Sequence, residues 1–343
     1  MYTSHQPEIS KIMSNIIVII GVTGIQGGSV ADTFLEMRGW NVRGVTRNPS
    51  SPAAQALAIR GVQIVKGDLD DKASLYSAFQ DATAIFANTD FFVHLFGAMV
   101  NPEFAKGHTP NQYAFDRELQ QNMNIAEAAA SPSILKTLQR FVFSSLSCAS
   151  KWSGGKYAYC YHQDVKDRAI QAIEVTYPDL AAMMSLIQVG HYVRNWLSSP
   201  FLQPKKQADG SFIVPRTFGP DYKMPFIVTH KDTGAFVKAL VVDLPVGEHI
   251  LCVSEQMTWP AWTELWAKTL GVKATYKQVS EDEFWEGAPE PVKKELAETF
   301  AYVEEFGYTG GDPEVKTAEE LGVKVSVTSM ETYFKAEDWS SVL

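Results

Sequence analysis

Five β-branched residues in a row, Ile16 to Ile20, run directly into Gly21-Val22-Thr23-Gly24-Ile25-Gln26-Gly27, and few folds accommodate that junction. An unbroken apolar β-branched run is the pattern of a strand buried on both faces, as in a parallel sheet. The period then changes: Val30, Phe34 and Met37 recur at helical spacing, and Gly39 closes the segment. A strand, a G-x-x-G-x-x-G turn and an amphipathic helix form a phosphate cradle. The first glycine permits the tight turn, the second admits a pyrophosphate to the backbone, and the third lets helix and strand pack closely. The pyrophosphate would then meet free N–H groups at the positive end of the helix. Gly21, Thr23, Gly24, Gln26 and Gly27 are therefore candidate dinucleotide contacts. In that context a merely glycine-rich connection is the weaker explanation.

The same alternation continues along the chain. Strands are expected at 41–46, 62–65, 82–87, 140–144 and 181–187, with helices at 53–59, 72–79, 114–130 and 163–177 between them. This rhythm predicts an α/β, Rossmann-type doubly wound parallel sheet over residues 15–190. Residues 1–14 read as an N-terminal extension. Beyond 190, prolines break the pattern into loops and short strands, with helices expected near 232–242, 259–270 and 291–306. Six of the eight tryptophans lie there. Residues 191–343 thus read as a smaller, partly helical C-terminal region over the sheet's carboxyl edge, partly interleaved with the sheet. Ligands bind at that edge in open α/β folds.

The end of the second strand bears on the choice of nucleotide. An NAD site places Asp or Glu there for the ribose 2′-hydroxyl, whereas this chain reads Val45-Thr46-Arg47-Asn48-Pro49. A guanidinium pairs with a 2′-phosphate through a fork, so NADP(H) is the expected cofactor. A solvated surface arginine is the competing reading. Asp68, after the third strand, is a candidate for the adenine edge, and Asn88 and Thr89, after the fourth, face the same crevice.

Composition narrows the function classes. A net charge of −9 argues against direct nucleic-acid binding, which needs a basic face. Cys148, Cys160 and Cys252 are scattered and show no metal spacing, which suits a reducing compartment. No apolar run approaches the ~18 residues of a membrane span, and the first fourteen residues lack a secretory pattern. The expected location is the cytosol, with the nucleus as a second possibility.

The run Ile16–Asp71, then Glu118-x-x-Gln121-x-x-Asn124, Phe143-Ser144-Ser145, Ser153-Gly154-Gly155-Lys156-Tyr157 and Asp232-Thr233-Gly234, resemble NmrA-like proteins. These are atypical relatives of the short-chain dehydrogenases/reductases. The resemblance covers roughly residues 15–245. It implies a Rossmann core, NADP(H) at Gly24, Gln26, Gly27 and Arg47, and a variable C-terminal subdomain. It also implies two functional classes, because the family holds reductases and catalytically silent redox sensors that bind regulatory proteins.

A short-chain dehydrogenase uses Tyr-x-x-x-Lys on the helix after the fifth strand, the tyrosine as acid/base and the lysine lowering its pKa and holding the ribose. Here Lys166 has the lysine position, but His162 occupies the place four residues earlier, and Tyr161 is one residue off the face. Lys166, His162 and Ser145 are the catalytic candidates, with Ser144 and Ser147 as alternative serines and Lys166 also a nucleotide contact. A histidine is an acid/base candidate by residue type, although a structural or site-lining role is equally open to His162. An intact nucleotide turn without Tyr-x-x-x-Lys favours a nucleotide-sensing regulator with a protein partner. The alternative is an NADPH-dependent reductase of a small carbonyl, quinone or enone; the aromatics in His191–Trp196 would line a pocket for a flat or aromatic substrate, or equally serve core packing between the two regions.

Overall fold

A computed structural model describes residues 14–343; all but the last residue of the expected 1–14 extension lies outside them. Eight strands form one parallel sheet: β1 (Asn15–Ile20), β2 (Trp40–Thr46), β3 (Gln63–Lys66), β4 (Ala84–Ala87), β5 (Arg140–Ser145), β6 (Met184–Val189), β7 (His249–Cys252) and β8 (Val315–Lys316). Their spatial order is β8-β7-β6-β5-β4-β1-β2-β3. The order reverses between β1 and β4, which pair through Ile17–Ala84, Val18–Ile85 and Ile19–Phe86. A crevice opens at such a reversal beyond the strands' carboxyl ends.

Ile17 to Ile20 are 0–2% exposed, as a strand covered on both faces requires. On one side Ile17 and Ile19 pack with Val30, Phe34, Phe236 and Leu240. On the other, Val18 and Ile20 pack with Leu75, Phe79, Ile125 and Ile173. The chain therefore divides its first strand residue by residue between two cores. The helices that bear on the crevice are α1 (Ile25–Leu35), α2 (Phe91–Val100), α3 (Pro110–Ala129), α4 (Tyr161–Thr176), α5 (Thr229–Lys238), α6 (Trp259–Leu270) and α7 (Glu290–Phe306).

Helix α2 is an element for which no helix was expected from the sequence. Its signals were local: Asp90 accepts from the Phe92 and Val93 N–H groups, and buried Phe91, Leu95 and Ala98 recur at helical spacing. Its other face exposes Val93, Phe96 and Val100, so apolar residues on both faces hide the amphipathic pattern.

Two strands of the sheet, β7 and β8, come from beyond residue 190, and β7 pairs with β6 through His249–Leu186 to Cys252–Val189. The rest of the C-terminal region has its own aromatic core. Trp196, Trp259, Trp262, Trp266, Trp285 and Trp339 are all buried in it with Phe212, Phe226 and Phe284. Of the acidic stretch 281–286, Phe284 and Trp285 turn inward while Glu281, Asp282 and Glu283 stay outside. The Asp232-Thr233-Gly234 motif sits on α5 against α1, where the Gly234 N–H donates to Ser29 Oγ at 3.0 Å. Asp232 accepts from the Thr328 hydroxyl at 2.8 Å and so ties the C-terminal segment to the sheet domain. No helix among the described residues is long and apolar enough to cross a membrane.

Candidate functional site

The turn after β1 has the backbone its glycines predict. Gly21 has φ +68°, in the left-handed region, where a β-carbon is strained. A β-carbon on Gly27 would lie 2.7 Å from Gly21 C and 2.9 Å from Val22 Cα, and closer still to Gly21 O. The third glycine is thus required by contact between helix and turn. At Gly24 such a carbon would meet Gly21 O at 3.2 Å and no other of the described atoms within 4 Å, a milder contact than at Gly27.

Helix α1 starts differently from its neighbours. Gly24 offers no side-chain cap, and the first turn holds no acid. The helices beginning at Pro52, Lys72, Phe91 and Pro110 are capped by Ser51, Asp71, Asp90 and Thr109. The first N–H groups of a helix need acceptors, and this helix alone of the five leaves them to whatever occupies the crevice. That is the arrangement an anionic pyrophosphate fits.

Gln26 is 7% exposed. Its Oε1 accepts from Ser144 Oγ at 3.0 Å and its Nε2 donates to the Tyr192 hydroxyl at 2.5 Å. One side chain therefore joins α1 to the ends of β5 and β6. Burial pushes the Tyr192 phenol up to about 12, which keeps it protonated. Thr23 and Gly24 are exposed on the turn, and Arg47 is exposed just past β2. Among the described residues the Arg47 guanidinium has no carboxylate within ion-pair distance. Asp68 holds its own loop, accepting from the Asp70 N–H at 3.0 Å, and Ser74 Oγ accepts from the Asp68 N–H at 2.9 Å. Asn88 is half-buried and Thr89 is buried at the end of β4.

Lys166 lies inside the protein, 6% exposed. Its Nζ donates to Glu118 Oε1 at 2.6 Å, Thr89 Oγ1 at 2.7 Å and the Thr89 carbonyl at 3.1 Å. An ammonium has three N–H donors, and all three have acceptors here. Glu118 is fully buried, and its Oε1 also accepts from the Thr89 hydroxyl at 2.7 Å. The Glu118-x-x-Gln121-x-x-Asn124 motif becomes one face of α3. Gln121 Nε2 donates to Asp70 at 3.2 Å and Asn124 Nδ2 to the Leu69 carbonyl at 2.7 Å.

His162 stands one turn before Lys166 on α4. Its Nδ1 lies 2.7 Å from Glu295 Oε1, and its backbone N–H donates to the same oxygen at 2.8 Å. Asn111 Nδ2 donates to the other carboxylate oxygen at 2.9 Å. Phe92 and Phe91 flank the ring, with centroids 5.3 and 6.1 Å away. The side chain is 13% exposed, and Nε2 has no protein partner among the described residues. Glu295 lies on α7, 133 residues away in sequence, and neither it nor Asn111 was a candidate from the sequence. Glu118 belonged to a recognised motif but had no assigned role.

The serines separate by the strand's alternation. Ser144 faces Gln26. Ser145, on the opposite face and 1% exposed, turns to the Ile187 carbonyl at 3.4 Å and His249 Nε2 at 3.3 Å. Burial holds His249 down at about 4, so it is neutral at physiological pH. The Ser147 hydroxyl meets that of Tyr302 at 2.5 Å. The structure thus joins Lys166 to Thr89 and seats His162 one turn earlier against Glu295; it puts Ser144 beside Gln26 but directs Ser145 toward β6 and β7. Among the described residues no cluster of His, Cys, Asp and Glu forms a metal site.

Comparison with known proteins gives this arrangement its relatives. NmrA, a negative transcriptional regulator solved in complex with NADP, superposes with a TM-score of 0.73 at 19% identity, covering 96% of this chain and 97% of that one. The NADPH-dependent quinone oxidoreductase QOR2 of Escherichia coli, solved with NADPH, gives 0.62 at 20% identity, covering 93% and 98%. The NmrA-like family domain-containing oxidoreductase FrzB of a Cladobotryum species is 26% identical over 333 residues, covering 90% of each chain. Matches to the related oxidoreductases NotA and Hkm9 of Aspergillus species are shorter, spanning 36% and 64% of those proteins. The family model for NmrA-like proteins matches residues 13–341, from the first strand through the aromatic C-terminal core, and on that evidence the chain belongs to the NmrA-like family.

Proposed function

We propose that this protein binds NADP(H) at the β1–α1 turn and reduces a small quinone, carbonyl or enone. The observation that carries the reading is His162. It holds the position of the missing tyrosine one turn before Lys166, is anchored by Glu295, and keeps Nε2 unpartnered beside Phe91 and Phe92.

The uncapped start of α1 and the exposed Gly24 fit a pyrophosphate. Gly21, Thr23, Gly24, Gln26 and Gly27 would hold it, with Arg47 on the 2′-phosphate and Asp68 toward the adenine. Asn88 and Thr89 would face the nicotinamide side, with Lys166 fixing Thr89 from behind. Bound NADPH supplies the hydride. The chain supplies the proton, from His162 Nε2 to the acceptor oxygen, and an apolar edge in the Phe92 ring, which stands edge-on to the buried Phe91. A histidine suits that role because its charge changes near neutral pH. The oxidoreductase names of FrzB, NotA and Hkm9 and the nucleotide complexes of NmrA and QOR2 support this reading.

A second reading, a nucleotide-responsive regulator, draws on a different observation. All three Lys166 donors are engaged within the protein, which a silent nucleotide holder tolerates, and NmrA is described as a transcriptional regulator. Titration with NADPH and NADH, followed by NADPH consumption with a panel of quinones, carbonyls and enones, separates the readings. Tight NADPH binding with acceptor-dependent consumption supports the reductase. Tight binding with no consumption by any acceptor supports the regulator, and absence of binding removes both.

A further inference from the structure

The carboxylate behind His162 comes from a part of the chain that the nucleotide-binding motifs do not reach. Glu295 is fully buried, and a buried carboxylate is retained only where hydrogen bonds and charge compensate its lost hydration. Its side-chain partners are few: the His162 N–H at 2.8 Å, His162 Nδ1 at 2.7 Å and Asn111 Nδ2 at 2.9 Å. No lysine or arginine among the described residues lies within ion-pair distance, so the imidazole is the one group there able to balance its charge.

The neighbourhood is built to hold this geometry. Asn111 Nδ2 also donates to the Pro291 carbonyl at 3.0 Å. Phe91, Leu95, Ala114 and Val292 form one apolar cluster joining α2, α3 and α7, with Phe92 and Tyr161 packed against it. Three helices thus meet around the Glu295–His162 pair, with the Phe91 and Phe92 rings against the imidazole.

We propose that Glu295 is a positioning residue for His162: it keeps the ring proton on Nδ1 and leaves Nε2 as the nitrogen that exchanges a proton with the acceptor. A hydrogen bond from one ring nitrogen decides the role of the other. Only the effect on turnover rests on the reductase reading. In that step His162 as imidazolium would give its Nε2 proton to the acceptor oxygen, and the hydride that bound NADPH would supply to the acceptor carbon would complete reduction of the carbonyl to an alcohol, leaving NADP⁺. The neutral imidazole would keep Nδ1–H on Glu295. Water then returns the Nε2 proton. The arrangement makes the C-terminal region part of the reacting site as well as its cover.

The tautomer is measurable in the free protein by ¹⁵N NMR of labelled histidines, with the His162 signals assigned by their loss in His162→Asn. The neutral wild-type ring is expected to carry its proton on Nδ1, and Glu295→Leu is expected to move it to Nε2 or to a mixture. Glu295→Gln keeps the volume but loses the charge and one of two acceptor oxygens, so its amide cannot accept from both His162 and Asn111; it is expected to fold and to bind NADPH within about twofold of wild type. Its turnover should fall ~10- to 100-fold with little change in KM, the scale of losing the outer partner that orients a functional histidine. A wild-type ring protonated on Nε2, or Glu295→Gln turning over within twofold of wild type, overturns the proposal. An Nδ1–H ring that depends on Glu295, in a protein that consumes no acceptor, supports the positioning role and rejects the reductase reading instead.

Discussion

Removing Lys166 should cost more stability than activity arguments alone would suggest. The Lys166→Met change deletes three hydrogen bonds and leaves Glu118, fully buried, with its charge uncompensated. Breaking a buried pair from one side costs roughly 3–5 kcal/mol, against a total of about 5–15 kcal/mol for a typical domain. Replacing both partners, Glu118→Leu with Lys166→Met, removes the stranded charge and should recover most of that loss. The double-mutant cycle should therefore give a coupling of at least ~2 kcal/mol. Urea unfolding followed by tryptophan fluorescence measures it, provided the slope m stays constant across variants. A single variant within about 1 kcal/mol of wild type, or losses that simply add, would refute the reasoning, because independent surface residues behave that way. NADPH affinity of the folded double variant then shows separately whether Lys166 also serves the nucleotide.

Gly27→Ala puts a β-carbon against the Gly21 and Val22 backbone, and overpacking of this kind costs ~1–3 kcal/mol. It should also weaken nucleotide binding sharply, whereas Gly24→Ala, with one 3.2 Å contact, should lose less stability; equal unfolding midpoints for the two variants would contradict this. Arg47→Ala should erode a preference for NADPH over NADH by ~1–3 kcal/mol, the scale of a charged hydrogen bond, and a titration showing no wild-type preference would remove the assignment. His249, held down at about 4 by burial, takes up its proton more readily in the unfolded chain. Its contribution to stability is full above the ordinary histidine range and is lost as pH falls from there toward about 4, near 2 kcal/mol by about pH 5. His249→Gln should flatten that slope in urea midpoints measured from about pH 8 to about pH 5, and an unchanged slope would place the acid sensitivity elsewhere.

What was legible in the sequence follows from how local each signal is. The β-branched run, the glycine turn and the helical repeat after it lie within some twenty residues of one another, and local sterics and period determine them. Strand–helix alternation implies a doubly wound sheet with a reversal somewhere, but the place of that reversal, between β1 and β4, depends on long-range strand pairing. Helix α2 was missed because Val93, Phe96 and Val100 on its exposed face are as apolar as its buried face, which erases the contrast that marks an amphipathic helix. Strands β7 and β8 are four and two residues long, too short for period alone to place them in the sheet. Glu295 was out of reach for another reason. Its partnership with His162 spans 133 residues, and nothing in the stretch Glu290–Phe306 distinguishes that glutamate from the others on the helix. Ser145 was read from its neighbours in a motif, and the alternation of β5 gave the crevice side to Ser144.

Acceptor-dependent loss of NADPH is the property that distinguishes a reductase from a silent nucleotide binder. Purified protein, NADPH and each quinone, carbonyl or enone of the panel are mixed under anaerobic conditions, and reduced product is counted by mass spectrometry against nicotinamide absorbance lost. For at least one acceptor the predicted result is one product per NADPH consumed, at a rate above roughly 1 s⁻¹. His162→Asn should fall at least ~100-fold in that rate at unchanged NADPH affinity. NADPH that binds tightly and is never consumed with any acceptor, or consumption that His162→Asn leaves untouched, would contradict the proposed function.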